Sequence, residues 1–175
     1  IAMFPGQGDT VETLLACADL AMYRAKGEGR NRVCVYMTEQ KTQVESRLMW
    51  EKRICEALSR DGFVLFLQPI MDIRQNLIIG HEALLRMVTE KGDIITPSEF
   101  IDIAESFGLI HDIDRWVVSR AIRLIQKFKQ DNKPTYLEVN LSGRSFADKK
   151  LLPLIRSELA ATGIDPATLV FEITE

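Results

Sequence analysis

Polar side chains interrupt three segments of the chain that otherwise have the apolar composition of β-strands. Because successive strand residues point to opposite faces, residues two apart share one face. The residues that share a face in each segment are Glu82, Leu84 and Arg86; Glu138, Asn140 and Ser142; and Val170, Glu172 and Thr174. A carboxylate that faces a sheet interior is costly unless it is paired or binds a cation. Carboxylate and amide oxygens suit hard cations such as Mg²⁺ or Mn²⁺.

These oxygen donors, together with an arginine, indicate a metal-assisted phosphoester site. In parallel α/β sheets and barrels, sites are built at the carboxyl ends of the strands. Arg86 shares the face of Glu82, and a guanidinium can hold a phosphate through two hydrogen bonds. The alternative is a set of surface-facing strand polars paired as salt bridges. No nearby Cys or His pair suggests zinc: His81 points away from Glu82 and is interpreted as structural, and His111 as a helix cap or surface residue.

Alternating strand and helix patterns position these residues. After residue 61 the strands and helices follow one another through short links, which predicts an α/β sheet or barrel. The expected strands are 63–70, 77–86, 135–142 and 169–174. The first two form a hairpin with a five-residue loop, 72–76. A capping box at 96–99 begins a helix that Gly108 closes, a longer helix is broken by Pro134, and a third helix spans 151–162.

The first 60 residues follow a different pattern. A helix capped by Thr10 stops at Gly27, and residues 33–36 are predicted to form a short strand. One helix and one strand cannot enclose a core, so residues 1–37 are expected to belong to a larger domain. A polar helix over 38–60 is expected to link them to the α/β part, 61–175. The chain lacks an initiator Met and opens within a pattern, so the true N-terminus is expected upstream.

Composition sets broad limits on function. The 175 residues are 46% hydrophobic with a net charge of −3, which is ordinary for a globular protein and argues against binding duplex DNA or RNA. There is no signal peptide, and no apolar run approaches the roughly 20 residues that span a bilayer. A cytoplasmic location is therefore expected, although upstream segments of the parent could anchor it to a membrane. The three cysteines have no C-x-x-C spacing and are interpreted as buried, reduced thiols.

Several motifs of the second part resemble those of EAL domains in order and spacing. They are QPI at 68–70, EALLR at 82–86, TPSEFI at 96–101, AE at 104–105, GLI at 108–110, VNLS at 139–142 and FEITE at 171–175. Each motif alone is weak, whereas the ordered set over 63–175 is specific. A second EAL triplet at 56–58 lies on a predicted helix without the following Leu-Arg, and it is interpreted as chance.

The resemblance implies the incomplete first part of an EAL-type (β/α)₈ barrel, which hydrolyses cyclic-di-GMP to linear pGpG with Mg²⁺ or Mn²⁺. The site residues it implies are the metal ligands Glu82, Asn140 and Glu172, the substrate-binding residues Gln68, Leu84 and Arg86, and Glu175, which organises a loop over the site. The family's later Asp pair, Lys and Glu fall beyond Glu175, so these 175 residues by themselves are expected to be inactive. Family members often dimerise, so a second copy is among the implied partners.

The first part is similar to the end of a GGDEF domain, an α+β fold. The likeness covers about 1–36 and rests on ADLAMYRAK at 18–26 and GRN at 29–31. Lys26 and Arg30 match positions that contact GTP phosphates. The alternative is a basic helix C-terminus favoured by the helix dipole. Upstream GGDEF and sensory domains are the partners that this resemblance implies.

Two functions are in competition for the parent protein. It is a cyclic-di-GMP phosphodiesterase, since every EAL-type position within the chain is kept, or it is a receptor that binds cyclic-di-GMP and signals without turnover. A structural or partner-binding α/β domain is a third interpretation, which the ordered motifs disfavour. Turnover separates the first from the second, and nucleotide affinity separates both from the third.

Overall fold

The structure is a computed structural model that describes residues 1–27, 29–36 and 41–174. It contains two compact units, Ile1–Lys52 and Arg53–Glu175. The division falls within helix α2, Lys41–Ser59, and the predicted linker residues 38–40 lie outside the described residues. The domain limits drawn from the sequence therefore stay predictions. Among the described residues, no helix combines the length and the apolarity needed to cross a membrane.

The first unit is built around helix α1, Val11–Gly27. The helix begins after Thr10, whose Oγ1 accepts a 3.2 Å hydrogen bond from the Thr13 N–H, as expected of a cap. A small core of this unit is made by buried residues of α1 and of the segment that follows it. These residues are Cys17, Leu20, Ala21 and Tyr36.

The strand predicted at 33–36 is not formed. These residues are irregular, and two backbone hydrogen bonds to Ile1 connect them to the start of the chain. The Ile1 amine donates to the Cys34 carbonyl at 2.7 Å, and the Tyr36 N–H donates to the Ile1 carbonyl at 2.9 Å. A strand needs a continuous ladder of paired residues, and Ile1 alone supplies both of these bonds. The β-branched pattern of the segment was therefore not sufficient to predict its pairing.

The second unit is an α/β sheet with packed helices, which confirms the α/β part of the predicted fold class. Its strands are β1 Phe63–Asp72, β2 Leu77–Val88, β3 Ile94–Ile95, β4 Tyr136–Ser142 and β5 Leu169–Thr174. The strand order is β1-β2-β4-β5, with β3 also paired to β2. β1 and β3 run antiparallel to β2, whereas β4 is parallel to β2 and β5 to β4. Closure into a (β/α)₈ barrel stays a prediction.

The hairpin between β1 and β2 has a four-residue loop, one residue shorter than predicted, because Asp72 still belongs to β1. The Asp72 side chain stabilises the turn, since its Oδ1 accepts hydrogen bonds from the N–H groups of Arg74 at 2.8 Å and Gln75 at 3.1 Å. Asn76 closes the loop with a φ of 52°, a left-handed conformation that asparagine tolerates.

The three helices of the sheet unit are α3 Ile101–Ser106, α4 Ile110–Gln130 and α5 Leu151–Thr162. The helix predicted to start at the capping box is divided into a 3₁₀ turn, Pro97–Glu99, and α3. Phe100 separates them with φ −134° and ψ −14°, and its fully buried ring lies 5.8 Å from that of Phe63. Aromatic burial therefore overrides the helical pattern at this residue.

The two faces of the sheet differ in burial. Over 82–87 of β2 and 136–141 of β4, the residues of odd number are buried: Ala83, Leu85, Met87, Leu137, Val139 and Leu141. Helix α4 contacts β4 and contributes apolar residues such as Val118 and Ile122 to this core. The residues of even number in the same stretches, among them Glu82, Arg86 and Asn140, are half-buried on the other face, which we call the open face. This alternation is the pattern expected of strands with one covered face.

The cysteines differ from the sequence-based interpretation. Cys17 is buried, but Cys34 is half-buried and Cys55 is exposed. All three are reduced. Cys55 lies on the solvent side of α2, because the apolar positions of this helix that are buried in the second unit are Ile54 and Ala57.

A close packing contact on the open face requires glycine at position 80. Gly80 pairs with Tyr136 across β2 and β4, and a Cβ added at Gly80 would lie 2.4 Å from the tyrosine ring. Gly80→Ala is therefore expected to lower the free energy of unfolding by about 1–3 kcal/mol, the usual cost of overpacking. Urea denaturation measures this loss. In a Tyr136→Ala background the added methyl has room, so the same loss in both backgrounds would contradict the explanation.

Candidate functional site

Four polar residues form a row across the open face, which we call the polar row: Gln68, Glu82, Asn140 and Glu172. β1 places Gln68 opposite Glu82, and β5 places Glu172 beside Asn140. Between β2 and β4, Asn140 Nδ2 donates a 2.8 Å hydrogen bond to Glu82 Oε1. The structure therefore brings the three sequence-predicted metal ligands and Gln68 onto adjacent strands, on one face.

The chemistry of the polar row fits a hard cation. When the Asn140 amide donates to Glu82, its own carbonyl oxygen and the second oxygen of Glu82 remain available as ligands. Glu82 and Asn140 are half-buried, and Glu172 is exposed. Within the described residues, no group of three or more His, Cys, Asp or Glu is arranged to hold a metal ion. A cation at this place would therefore need the amide oxygen of Asn140 as well as carboxylates.

A cavity of 490 Å³ opens beside the polar row, where β2 and β4 separate. β4 pairs with β2 only over Gly80–Ala83, and both strands continue beyond that point. α3 and α4 close the space between them. The polar lining consists of Arg86, Ser98, Asp102, Glu105, Asp114, Asn140 and Ser142. The volume of this cavity is in the range of small-molecule binding sites.

A second cavity, of 580 Å³, lies between the end of α2 and the turn after β2. Acidic and basic side chains line it together, and Arg60 pairs with Glu90 there at 3.6 Å. None of the sequence-predicted site residues lines it. We therefore assign the site to the smaller cavity, which contains Arg86 and Asn140.

Arg86 lies over an aromatic ring that the sequence analysis did not select. Its guanidinium carbon is 5.7 Å from the centroid of the Phe66 ring, and Nη1 donates a 2.6 Å hydrogen bond to the Leu85 carbonyl. Phe66 pairs with Leu84 across β1 and β2 and is 44% exposed. An exposed aromatic ring beside a cation suits the stacking of a nucleotide base. The sequence did contain a signal for Phe66, because it lies two residues before Gln68 and so on the same face of the strand.

The carboxyl end of β4 is held by acidic residues of α3 and α4, which the sequence analysis also missed. Asp114 is 4% exposed, and its Oδ2 accepts hydrogen bonds from the Ser142 N–H at 3.1 Å and from Ser145 Oγ at 2.5 Å. Burial raises the pKa of Asp114, and the two serine hydrogen bonds oppose that rise. Glu105 Oε1 accepts from Ser142 Oγ at 3.0 Å.

The two histidines have structural positions. His81 lies on the covered face, as predicted, where its ring stacks on Phe128 at 6.1 Å and its Nδ1 is 3.1 Å from Thr135 Oγ1. The prediction that His111 is a surface residue or a helix cap is wrong. It is half-buried in the first turn of α4, with Nδ1 3.4 Å from Ser145 Oγ, because the 3₁₀ turn after β4 packs against that helix.

The remaining predicted site residues lie apart from the polar row. In the first unit, Lys26 and Arg30 are exposed at the end of α1, and the Arg30 N–H donates a 2.9 Å hydrogen bond to the Ala25 carbonyl. Arg30 has a φ of 60°, typical of a residue that ends a helix. Glu175 lies outside the described residues.

Comparison with known proteins identifies the class of this fold and site. Residues 51–175 match the family model of the EAL domain. The chain belongs to the EAL domain family. Over its whole length it is 35% identical to the bifunctional diguanylate cyclase/cyclic di-GMP phosphodiesterase MucR of Pseudomonas aeruginosa and 30% identical to the cyclic di-GMP phosphodiesterase PdeR of Escherichia coli. It spans 26% of the length of each, about a quarter of these curated relatives.

Solved structures share the fold. The EAL domain of FimX from Xanthomonas citri, in complex with c-diGMP, superposes with a TM-score of 0.71 at 32% identity, covering 77% of this chain and 52% of that one. The PaMucR phosphodiesterase in its c-di-GMP complex gives a TM-score of 0.67 at 33% identity, covering 73% and 52%. The strand arrangement that carries the polar row is thus that of domains that bind this nucleotide.

Proposed function

We propose that the complete protein hydrolyses cyclic-di-GMP to pGpG, using Mg²⁺ or Mn²⁺ held by Glu82, Asn140 and Glu172. The observation that carries the proposal is the Glu82–Asn140 hydrogen bond, with Glu172 next in register, beside a cavity that contains Arg86. The names of MucR and PdeR as cyclic di-GMP phosphodiesterases support the choice of substrate. We place the reaction in the cytoplasm.

Electrostatics explains why the proposed site needs a cation. Glu82 and Glu172 lie on adjoining parts of one face, where their negative charges would repel a phosphodiester. A cation held by Glu82, Asn140 and Glu172 would supply Lewis-acid chemistry, which polarises a phosphodiester and activates a water. Glu82, Asn140 and Glu172 would hold the cation only in part, so further oxygen ligands would have to complete the site.

The remaining side chains of the open face are assigned to the substrate. Arg86 binds a phosphate, because its fixed array of donors matches two phosphate oxygens. Gln68 and Leu84 line the nucleotide site, with Phe66 next to Leu84 as an exposed apolar surface for a base. Glu175 is assigned to organising a loop over the site, the role that the resemblance to EAL domains implies.

The test is incubation of the complete protein with cyclic-di-GMP and Mg²⁺ or Mn²⁺, followed by chromatography of the nucleotides. We expect pGpG to form and EDTA to stop its formation. Tight binding of cyclic-di-GMP without pGpG would make the protein a receptor instead of an enzyme. The absence of both binding and turnover would refute the proposal.

The first unit is proposed to be the end of a GGDEF domain, and the sheet unit to be part of a (β/α)₈ barrel. Two findings support the first assignment. The match to MucR, named a bifunctional diguanylate cyclase/phosphodiesterase, extends over the whole chain. Lys26 and Arg30 are both exposed, as phosphate contacts of such a domain would have to be. Further GGDEF and sensory segments, and a second copy of the protein, are the proposed partners.

A further inference from the structure

The end of β4 loses its neighbour on one side just where the polar row crosses it. The β2–β4 ladder stops at Ala83 and Val139, whereas β4 continues to Ser142. On the other side, β5 remains paired as far as Ser142. Asn140 is therefore the first β4 residue beyond the β2–β4 ladder, while it is still in register with Glu172 of β5.

Asp114 of α4 replaces the missing strand partner. Its Oδ2 accepts the Ser142 N–H at 3.1 Å, so the backbone of β4 keeps an acceptor two residues after Asn140. The same oxygen accepts the Ser145 hydroxyl at 2.5 Å, which joins the 3₁₀ turn Gly143–Ala147 to the same point. All three residues are buried.

Burying the Asp114 carboxylate costs free energy, and the two hydrogen bonds offset part of that cost. Desolvation raises the pKa of Asp114, which means that burial works against its charged form. An unpaired buried carboxylate costs free energy, and that cost is reduced here by two donors that both belong to the end of β4. The carboxylate thus connects the covered core to the strand that carries Asn140.

We propose that Asp114 is a positioning residue for the metal site: it holds the end of β4 and thereby keeps Asn140 within hydrogen-bonding distance of Glu82. This inference rests on the proposed function, because it concerns the same three ligands. Asp114 acts through the end of β4, since its Oδ2 accepts from the Ser142 N–H and the Ser145 hydroxyl, and neither residue is one of the three ligands. Groups that hydrogen-bond metal ligands directly typically change metal affinity by about 10- to 100-fold when they are removed, and Asp114 acts one residue further out, through Ser142.

The test compares two substitutions of the complete protein, with Mn²⁺ as the probe and its binding followed by electron paramagnetic resonance without nucleotide. Asp114→Ala removes both hydrogen bonds and is expected to weaken Mn²⁺ binding by about 10-fold, the lower end of the range for groups that bond the ligands directly. Asp114→Asn places an amide oxygen where Oδ2 stands, and one oxygen accepts both bonds in the native protein. We expect this variant to stay within about threefold of the wild type.

The control for a general loss of stability is Ile122→Val, a fully buried residue of the same helix. It removes packing and no hydrogen bond, so the melting temperature should fall while Mn²⁺ affinity stays the same. If Asp114→Ala does not fold, Ser145→Ala serves instead, because it removes one of the two bonds and keeps the carboxylate. An intermediate loss of Mn²⁺ affinity is then expected, with faster amide hydrogen exchange over 140–147.

The outcomes separate this inference from the proposed function. Wild-type Mn²⁺ affinity in Asp114→Ala, or in its substitute Ser145→Ala, would overturn the positioning role and leave the metal site standing. Equal losses in the Ala and Asn variants would also overturn it, because charge rather than hydrogen bonding would then matter. A wild-type protein that binds no Mn²⁺ would overturn both.

Discussion

Glu82→Gln is expected to lower the turnover of cyclic-di-GMP by about a thousandfold. The substitution preserves the length of the side chain and an acceptor for the Asn140 amide, which donates to Glu82 at 2.8 Å. What it removes is the charge that a hard cation needs from its ligand. Lewis-acid stabilisation is worth several kcal/mol, and a loss of about 4 kcal/mol corresponds to a factor of about a thousand. Steady-state pGpG formation, measured as kcat/KM, checks this value.

Glu138→Gln provides a matched control for Glu82. Glu138 lies directly beside Glu82 in the register of β2 and β4, on the same face and half-buried like it. The Glu138→Gln substitution also removes one negative charge from the open face, but at a residue outside the polar row. We therefore expect kcat/KM to stay within about threefold of the wild type. Equal losses in the two variants would show that the overall negative charge of the face matters, and not Glu82 as a ligand. Mn²⁺ binding should be weakened in Glu82→Gln alone.

Arg86→Ala is expected to weaken cyclic-di-GMP binding by about 10- to 150-fold. A hydrogen bond to a charged group contributes about 1.5–3 kcal/mol, and the alanine variant removes the donors that face the phosphate. Its position favours this role, since the guanidinium lies over Phe66 at the wall of the 490 Å³ cavity. Arg86→Lys keeps the charge and loses the two-point geometry, so an intermediate affinity is expected. Isothermal titration with Ca²⁺ in place of the active metal, to prevent turnover, measures these affinities.

Arg123→Ala is the control for the loss of a cation. Arg123 lies on the outside of α4, where its Nη2 is 3.0 Å from Glu158 Oε1, and it is largely exposed. Its removal should leave nucleotide affinity within about threefold, since exposed ion pairs contribute little. If Arg86→Ala binds cyclic-di-GMP as tightly as the wild type, the assignment of Arg86 to the phosphate is wrong. We expect Arg86→Ala to bind Mn²⁺ as tightly as the wild type, which would show that Arg86 binds the substrate and not the metal.

The sequence was most informative where strand periodicity coincided with chemistry. Alternation along β2 and β4 predicted that Glu82 shares a face with Arg86 and that Asn140 shares one with Glu138, and the structure places these residues on the open face. The same rule placed His81 on the other face, where it packs on Phe128. A period of two depends only on local backbone geometry, so it can be recognised without knowledge of strand order.

Local patterns failed where burial at a distance decided the backbone. The helix after Thr96 is interrupted because Phe100 enters the core beside Phe63, which is remote in sequence. Residues 33–36 have strand composition, yet the single residue Ile1 cannot provide a ladder. His111 was expected to be a helix cap or a surface residue, and it is half-buried beside the turn that contains Ser145. These are effects of tertiary contacts, which no window of neighbouring residues contains.

The sequence by itself determined the family, the alternation of strands and helices and the faces on which the oxygen donors lie, because these depend on motifs and on local periodicity. Only the tertiary structure decided that β2 and β4 separate after Ala83, that a cavity opens there, and that Asp114 binds the backbone of Ser142. Asp114 and Ser142 are 28 residues apart. Their contact depends on how α4 packs across the sheet, and that packing is the property of the whole core.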